Sequence, residues 1–450
     1  MKDTIVAIST TLGVGAISIV RMSGDEAIEI ANKIYKGKNL SKVESNTINY
    51  GHIYDGEEVI DEVLVSVMKA PHTYTVEDVV EINCHGGISV TNKVLELCIR
   101  NGARMAEPGE FTKRAFLNGR IDLLEAESVM DLINGNTEKA RKVAIKGVDG
   151  ETSYYVKELR NEIVELLASI EVNIDYPEYD APDITNKVIL SKLGSIKSKL
   201  ENIVNKSENG IIIKNGIKTI IIGKPNVGKS SILNKLLNED KAIVTDIAGT
   251  TRDTVEGSIS INGVELDIID TAGIRETDNI IESIGVEKSL SLIDEADLII
   301  AVFNNNEELD KEDKEIIERI KGHKVIAVIN KIDLENKLDE SLLKEFAVVK
   351  TTTTTIEGIK ELTDKIVELF NLNEIEKNDY RMLSNVRQIT LAKQALECIN
   401  NAYKGIEDKL PEDLVEIDIK DAWTYLGDII GESYGEELID ELFTNFCLGK

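Results

Sequence analysis

Cysteine and histidine are scarce in these 450 residues, with four of each. Cys84, Cys98, Cys398 and Cys447 are too few for a disulfide framework, and none forms a CxxC pair. His52, His72, His85 and His323 are scattered, so neither set has the spacing of zinc ligands. Long apolar runs are missing as well. The longest, Leu298–Phe303, is far too short to span a bilayer, so no membrane partner is expected. The apolar stretch Ile5–Val20 is interrupted by Thr, Ser and Gly and has neither a basic leader nor a small-residue cleavage pattern. It reads as strand and turn, and the chain as cytoplasmic. The last absence is a basic segment. Acidic side chains outnumber basic ones 81 to 52, a net charge of −29. Residues 1–118 and 119–214 carry −4 each, residues 215–372 carry −12 and residues 373–450 carry −9. Such a balance excludes a broadly nucleic-acid-coating surface and a DNA partner. Any RNA contact must come from a local patch or from a partner protein.

What is present is the composition of a folded protein, 42% hydrophobic and 30% charged. The length predicts about three domains. Residues 1–118 read as mixed α and β. Strands are expected at Ile5–Ile8, 16–20, 59–68 and 79–82, and a helix over 89–101 that ends at Asn101-Gly102. From about residue 121 the pattern turns to long helices. Val156, Leu159, Ile163, Leu166, Leu167 and Ile170 form one stripe; Leu190, Leu193, Ile196, Leu200 and Ile203 form another. Pro177–Pro182 reads as the loop between them. Residues 381–406 and 411–446 are again helical by period. The stripes are read as the core of a helical bundle.

A different domain, 215–372, interrupts the helices. Strands are expected at 217–222, 258–261, 264–269, 298–303, 325–329 and 346–349. Asn262-Gly263 joins the second and third as a two-residue hairpin. The rest alternate with helices, which implies a mainly parallel, doubly wound sheet. The expected architecture is therefore an α+β domain at 1–118, a helical domain split into 119–214 and 373–450, and an inserted α/β domain at 215–372.

The inserted domain carries the chemistry. Gly223-Lys224-Pro225-Asn226-Val227-Gly228-Lys229-Ser230 fits GxxxxGK[ST] between a strand and a helix. Glycines let backbone N–H groups turn inward around phosphates, and the helix N-terminus adds a positive dipole end. Lys229 supplies charge for the β- and γ-phosphates and Ser230 a Mg²⁺ ligand. Asp270-Thr271-Ala272-Gly273 follows another strand; Asp270 can reach Mg²⁺ through water and the Gly273 N–H can sense a γ-phosphate. Asn330-Lys331-Ile332-Asp333 ends a third strand. The Asp333 carboxylate can accept from N1–H and the 2-amino group of guanine, a donor pair that adenine lacks. The candidate GTP contacts are thus Asn226, Val227, Gly228, Lys229, Ser230, Ser231, Thr245, Asp246, Ile247, Ala248, Gly249, Thr250, Thr251, Asp270, Thr271, Ala272, Gly273, Asn330, Lys331 and Asp333. Within the switch-like loop Thr245–Asp253, a Thr can ligate Mg²⁺ and close over the γ-phosphate. Ile274 stands where many GTPases place a water-orienting Gln, so that group must come from elsewhere. Glu282 is a candidate, and from position alone an exposed structural Glu fits as well.

These residues resemble the translation-factor-related GTPases. The flanks narrow the likeness. Arg21-Met22-Ser23-Gly24, His85-Gly86-Gly87, Pro108-Gly109-Glu110-Phe111-Thr112, 114–119 and the terminal Phe446-Cys447-Leu448-Gly449-Lys450 together resemble the MnmE (TrmE) family of tRNA-modification GTPases over essentially the whole chain. The resemblance implies a Ras-like P-loop G domain inserted into a helical domain. It implies an N-terminal dimerisation domain similar to folate-dependent aminomethyltransferases. It also implies a GTP hydrolase that acts on the wobble uridine of certain tRNAs at C5, adding an aminomethyl or carboxymethylaminomethyl group. The implied partners are a second copy and MnmG, which brings FAD and uses NADH, in a heterotetramer that binds tRNA mainly through MnmG. The implied cofactors are GTP, Mg²⁺, K⁺ and 5-formyl- or 5,10-methylene-tetrahydrofolate. By resemblance K⁺ falls to Asn226, Thr245, Ile247 and Thr250, Mg²⁺ to Ser230 and Thr251, water orientation to Glu282, and folate to Arg21, Glu81, Arg120 and Lys450. Cys447 is either a nucleophile near the folate or a packing thiol. Thr351–Thr355 stands where such GTPases carry a Ser-Ala stretch against guanine. A GTP-switched assembly factor is the competing class, but it would need a basic appendage that the chain lacks. A stand-alone aminomethyltransferase would leave the G domain idle.

Overall fold

The computed structural model describes residues 3–175, 186–239, 255–269, 292–352, 357–372, 381–444 and 446–449. The chain forms two compact units. One is Met1–Ile133 with Gly147–Lys197 and Gln394–Lys450; the other is Asn134–Lys146 with Ser198–Lys393. Among the described residues no helix is long and apolar enough to cross a membrane.

The first unit holds a seven-stranded sheet of β1 (Ile5–Ile8), β2 (Ile17–Ser23), β3 (Tyr35–Lys36), β4 (Thr47–Asp55), β5 (Glu58–Met68), β6 (Val79–His85) and β7 (Arg104–Met105), in the order β3-β4-β5-β6-β2-β1-β7. Only the β1–β7 pair is parallel. Helices Ala27–Ile34 and Ile88–Arg100 cover one face, where Val6, Val20, Met22, Val65 and Ile82 meet Ile30, Ala31, Val94 and Leu97. On the other face Ile5 and Ala7 pack with Ala106 and with Phe111 of helix Glu110–Leu117. Farther along, that face leaves Ile17, Ile48, Tyr50 and Leu64 exposed.

The helical stripe Val156–Ile170 is buried as its spacing requires. Helix Glu412–Ile430 lies along helix Glu151–Asp175. Arg160 braces the pair: its guanidinium sits 4.4 Å from the Trp423 ring centroid and its Nε donates to the Trp423 carbonyl at 3.3 Å. The continuous helix expected over 411–446 is two helices, Glu412–Ile430 and Glu436–Phe443. Gly431 divides them. Its φ of +85° is left-handed, and a Cβ there would lie 2.7 Å from Leu123 Cβ, so the chain turns where only glycine fits. The helix expected over 381–406 begins at Val386 and ends at Glu407. The Pro177–Pro182 loop lies outside the described residues.

The second unit holds the mainly parallel sheet. Its strands are β8 (Ile217–Ile222), β9 (Val255–Ile261), β10 (Val264–Ile269), β11 (Leu298–Asn304), β12 (Val325–Asn330) and β13 (Ala347–Lys350), in the order β13-β12-β11-β8-β10-β9. Only β9–β10 is antiparallel. Along β11, Leu298, Ile300 and Val302 enter one core while Ile299, Ala301 and Phe303 enter the other. That two-sided burial is why the central strands are unbroken apolar runs. Asn262 (φ +51°) and Gly263 (φ +76°) turn the β9–β10 hairpin, as a primed two-residue turn demands. Asn136 of the short segment 134–146 donates to Glu265 on β10 at 3.1 Å, and Ala140 and Val143 join the core beneath.

Candidate functional site

The phosphate-loop sequence leaves the carboxyl end of β8 and enters helix Lys229–Glu239. Its first residue, Gly223, has φ +145°, and a Cβ there would lie 2.4 Å from the Val302 carbonyl oxygen of β11. No side chain fits between loop and strand. Gly228 has φ +106° and Asn226, although not glycine, has φ +62°. Lys229 Nζ donates to the carbonyls of Gly223 and Lys224, both at 2.8 Å. The lysine therefore arches back over the loop, the place a phosphate would take. Ser230 and Ser231 follow in the first helical turn, both exposed.

The end of β12 clamps this loop from the side. Asn330 Nδ2 donates to the Val227 carbonyl at 2.7 Å, and Lys331 Nζ to the Asn226 carbonyl at 2.9 Å. Asn330 is fully buried, and its Oδ1 has no hydrogen-bond partner among the described residues. Thr352 Oγ1 donates to Asp333 Oδ1 at 2.8 Å, which orients that carboxylate. The structure thus brings together Asn226, Val227, Gly228, Lys229, Ser230, Ser231, Asn330, Lys331 and Asp333. Thr245, Asp246, Ile247, Ala248, Gly249, Thr250, Thr251, Asp270, Thr271, Ala272, Gly273, Glu282 and Thr353–Thr355 lie outside the described residues. Among the described residues no group of three or more His, Cys, Asp or Glu is placed to hold a metal ion.

A second constellation lies in the first unit. Arg21 on β2 faces Glu81 on β6 in register, with Nε donating to Glu81 Oε1 at 2.7 Å. Arg21 Nη1 also donates to the Gly449 carbonyl at 3.1 Å, and Ser9 Oγ donates to the same oxygen at 3.0 Å. Gly449 has φ +85°, and a Cβ there would lie 2.4 Å from the Ile8 carbonyl oxygen. The Gly109 N–H donates to the Cys447 carbonyl at 3.1 Å. The chain's end is thereby laid against β1 and β2. Arg21 sits 5.7 Å from the Phe111 ring centroid; Tyr74 packs in the same apolar cluster and carries Arg120 4.7 Å from its ring centroid. Arg21, Glu81 and Arg120 so converge around one small apolar patch beside Cys447. Lys450 lies outside the described residues.

The other quoted motifs are structural. Glu110 is buried, which alone would raise its pKa, yet hydrogen bonds from Arg104 and Arg114 hold it low. Arg114, buried itself, also reaches Asp3 and Glu77. His85 Nδ1 lies 2.7 Å from Asp61, whose carboxylate raises the imidazole pKa. Ser9 and Tyr74 carry no motif of their own, whereas Phe111, Gly449 and Thr352 lie within quoted motifs. Those motifs do not by themselves name the contacts that the three make.

The sheet order, the glycine-floored loop and the clamp from β12 define the second unit as a P-loop nucleotide-binding fold. Comparison with known proteins extends this to the whole chain. The family described as GTP-binding protein TrmE N-terminus matches residues 4–120, and the MnmE helical domain matches residues 123–447. The tRNA modification GTPase MnmE of Bacillus subtilis (strain 168) is 54% identical over 100% of both chains. That of Listeria welshimeri is 53% identical over 100% of this chain and 99% of its own length. The G domain of the T. maritima FeoB iron transporter is 31% identical over 34% of this chain and 98% of that chain, with a TM-score of 0.26. The chain belongs to the MnmE family of tRNA modification GTPases.

Thiol labelling separates Cys447 from the core cysteines. Burial pushes Cys98 up to about 12 and also raises Cys84, so neither thiol ionises near neutral pH. Cys447 is exposed. Peptide mass spectrometry after brief alkylation of the native protein at pH 8 is expected to find Cys447 modified and Cys84 and Cys98 intact until denaturant is added. Equal labelling of all three would contradict the burial.

Proposed function

We propose that this tRNA modification GTPase is activated by K⁺ and works as a dimer with the FAD-bearing MnmG. Together they add an aminomethyl or carboxymethylaminomethyl group at C5 of the wobble uridine, from a tetrahydrofolate-borne carbon. The observation that carries the nucleotide half is the loop held from β12: Asn330 fixes the Val227 carbonyl, and Thr352 orients Asp333. A carboxylate so placed pairs with the N1–H and amino group of guanine, and ATP would leave it unpaired. Lys229 and the N–H groups of Gly228 to Ser231 receive the phosphates. Mg²⁺ falls to Ser230 and Thr251, with Asp270 behind a water.

For K⁺ the reading rests on donor chemistry. The positive φ of Asn226 places its carbonyl against Lys331 and leaves its side chain exposed at the head of the loop. Its amide oxygen, with oxygens of Thr245, Ile247 and Thr250, suits a weakly hydrated cation. Bound there, K⁺ would supply positive charge to the phosphates, the part an arginine finger plays in other GTPases. Glu282 takes the water-orienting role that Ile274 cannot fill.

The N-terminal constellation fits a folate. Glu81 accepts and Arg21 donates side by side, a pattern complementary to the mixed edge of a pterin, and both are partly accessible. Arg120 and Lys450 add charge for the anionic end. A folate bound there supplies the one-carbon unit; Arg21, Glu81 and Arg120 bind and orient it. Cys447 lies next to Leu448 and Gly449 at this site and is assigned no step. Dimerisation is supported by the exposed apolar row Ile17, Ile48, Tyr50 and Leu64 on the outer sheet face. The domains proposed are 1–118 for folate and dimerisation, 119–214 with 373–450 as the helical domain, and 215–372 as the G domain. A cytoplasmic location fits a tRNA substrate. The charge of −29 fits docking of tRNA mainly through MnmG.

Two measurements test this. GTP turnover is expected to be at least about tenfold faster in K⁺ than in Na⁺ at equal ionic strength, as charge supplied to the phosphates implies. Equal rates would remove the K⁺ assignment. Mass spectrometry of bulk tRNA from a deletion strain is expected to show wobble uridines without their C5 substituent. Unchanged nucleosides would overturn the modification reading.

A further inference from the structure

Lys224 occupies a variable position of the phosphate-loop pattern, yet its ammonium is held among three carboxylates. Its Nζ lies 2.7 Å from Asp310, 2.7 Å from Asp313 and 3.9 Å from Glu307, and its side chain is only 12% exposed. A lysine inside a phosphate loop could reach for the phosphates. This one points away from them, into carboxylates that follow β11. Two of those carboxylates form the start of helix Lys311–Ile320. Asp310 Oδ1 accepts from the Asp313 N–H at 3.0 Å, and Asp313 Oδ2 accepts from the Asp310 N–H at 3.2 Å, a reciprocal capping box. Asp313 is buried, so Lys224 supplies the charge that makes its burial tolerable. Lys224 in turn holds Asp310 down at about 2.

The backbone of the same residue faces the site. Its carbonyl is one of the two that accept from Lys229 Nζ. Gly223 just before it has no side chain to resist a swing about its own backbone. The side chain of Lys224 thus anchors this stretch of the loop to the carboxylates that follow β11.

We infer that Lys224 is a positioning residue of the nucleotide site: by tying the phosphate loop to the capped end of helix Lys311–Ile320, it holds one of the two carbonyls that orient Lys229. The inference rests on the nucleotide-site reading above and adds a residue to it. Methionine at 224 keeps the aliphatic length and loses the anchor.

The test is titration of the full-length protein with a fluorescent GDP analogue and with GTP, together with steady-state hydrolysis. Lys224→Met is expected to weaken binding of both nucleotides about tenfold while kcat at saturating GTP stays within about twofold, because the restraint acts before chemistry. Lys224→Arg, which restores the ion pairs, is expected to recover most of the affinity. Asp310→Asn, which leaves Asp313 in place, is expected to weaken binding about threefold. Amide exchange at 223–228 should quicken in Lys224→Met. A folded Lys224→Met protein with unchanged nucleotide affinity would overturn the proposal and leave the cluster as a fold-stabilising contact. If Lys224→Met does not fold, Asp310→Asn decides, and unchanged affinity there overturns it equally. Lys229→Ala serves as the control. Wild-type binding in that variant would sink the nucleotide-site reading itself, whereas unchanged binding in Lys224→Met alone sinks only the anchor.

Discussion

The constraint on which the nucleotide site depends is the passage of Gly223 over β11. A side chain at that point would strike the Val302 carbonyl, so the backbone runs flat across the strand end and turns directly into helix Lys229–Glu239. That approach fixes where the loop's N–H groups and the helix N-terminus point. The fixed loop can then be gripped from two sides. β12 grips it through Asn330 and Lys331, which hold successive carbonyls. The segment after β11 grips it through Lys224. A nucleotide would meet a loop already shaped, and binding energy would go less into ordering it.

The first unit solves a related problem with its chain end. Gly449 is pressed on the Ile8 carbonyl, and its own carbonyl takes donors from Ser9 and Arg21. The terminal residues thereby become part of the wall around Arg21 and Glu81. The two units keep separate chemistry, each floored by a glycine that admits no Cβ. The −12 of residues 215–372 and the −9 of 373–450 disfavour phosphate backbones, while the first two segments are the least acidic.

Much of this was legible in the amino-acid sequence, and the parts that were not have physical causes. β8, β11 and β12 are readable because strands buried on both faces must be apolar throughout. The hairpin is readable because Asn262-Gly263 both take positive φ. β4 is hidden because its pattern is inverted: Asn49 and Gly51 face inward while Ile48 and Tyr50 face out. Gly51 is buried because the Tyr35 ring lies over it, within 2.4 Å of where a Cβ would be. The break at Gly431 is hidden because the apolar period resumes after it. Within the sites, the motif residues are legible, but the contacts that support them are not. Thr352, Tyr74, Phe111 and Lys224 act through partners far away in sequence, and no local spacing encodes those pairings.

The central claim is a guanine-reading loop clamped by the end of β12, with Asp333 as the reader and Thr352 as its guide. Competition binding of GTP and xanthosine triphosphate to the wild-type protein and to Asp333→Asn tests it most directly. An asparagine amide presents a donor where the carboxylate accepts, which complements the 2-oxo group of xanthine. Asp333→Asn is expected to lose GTP affinity by more than about tenfold and to prefer xanthosine triphosphate, since an unmatched buried polar edge is costly. An Asp333→Asn protein that still prefers GTP as the wild type does would contradict the account.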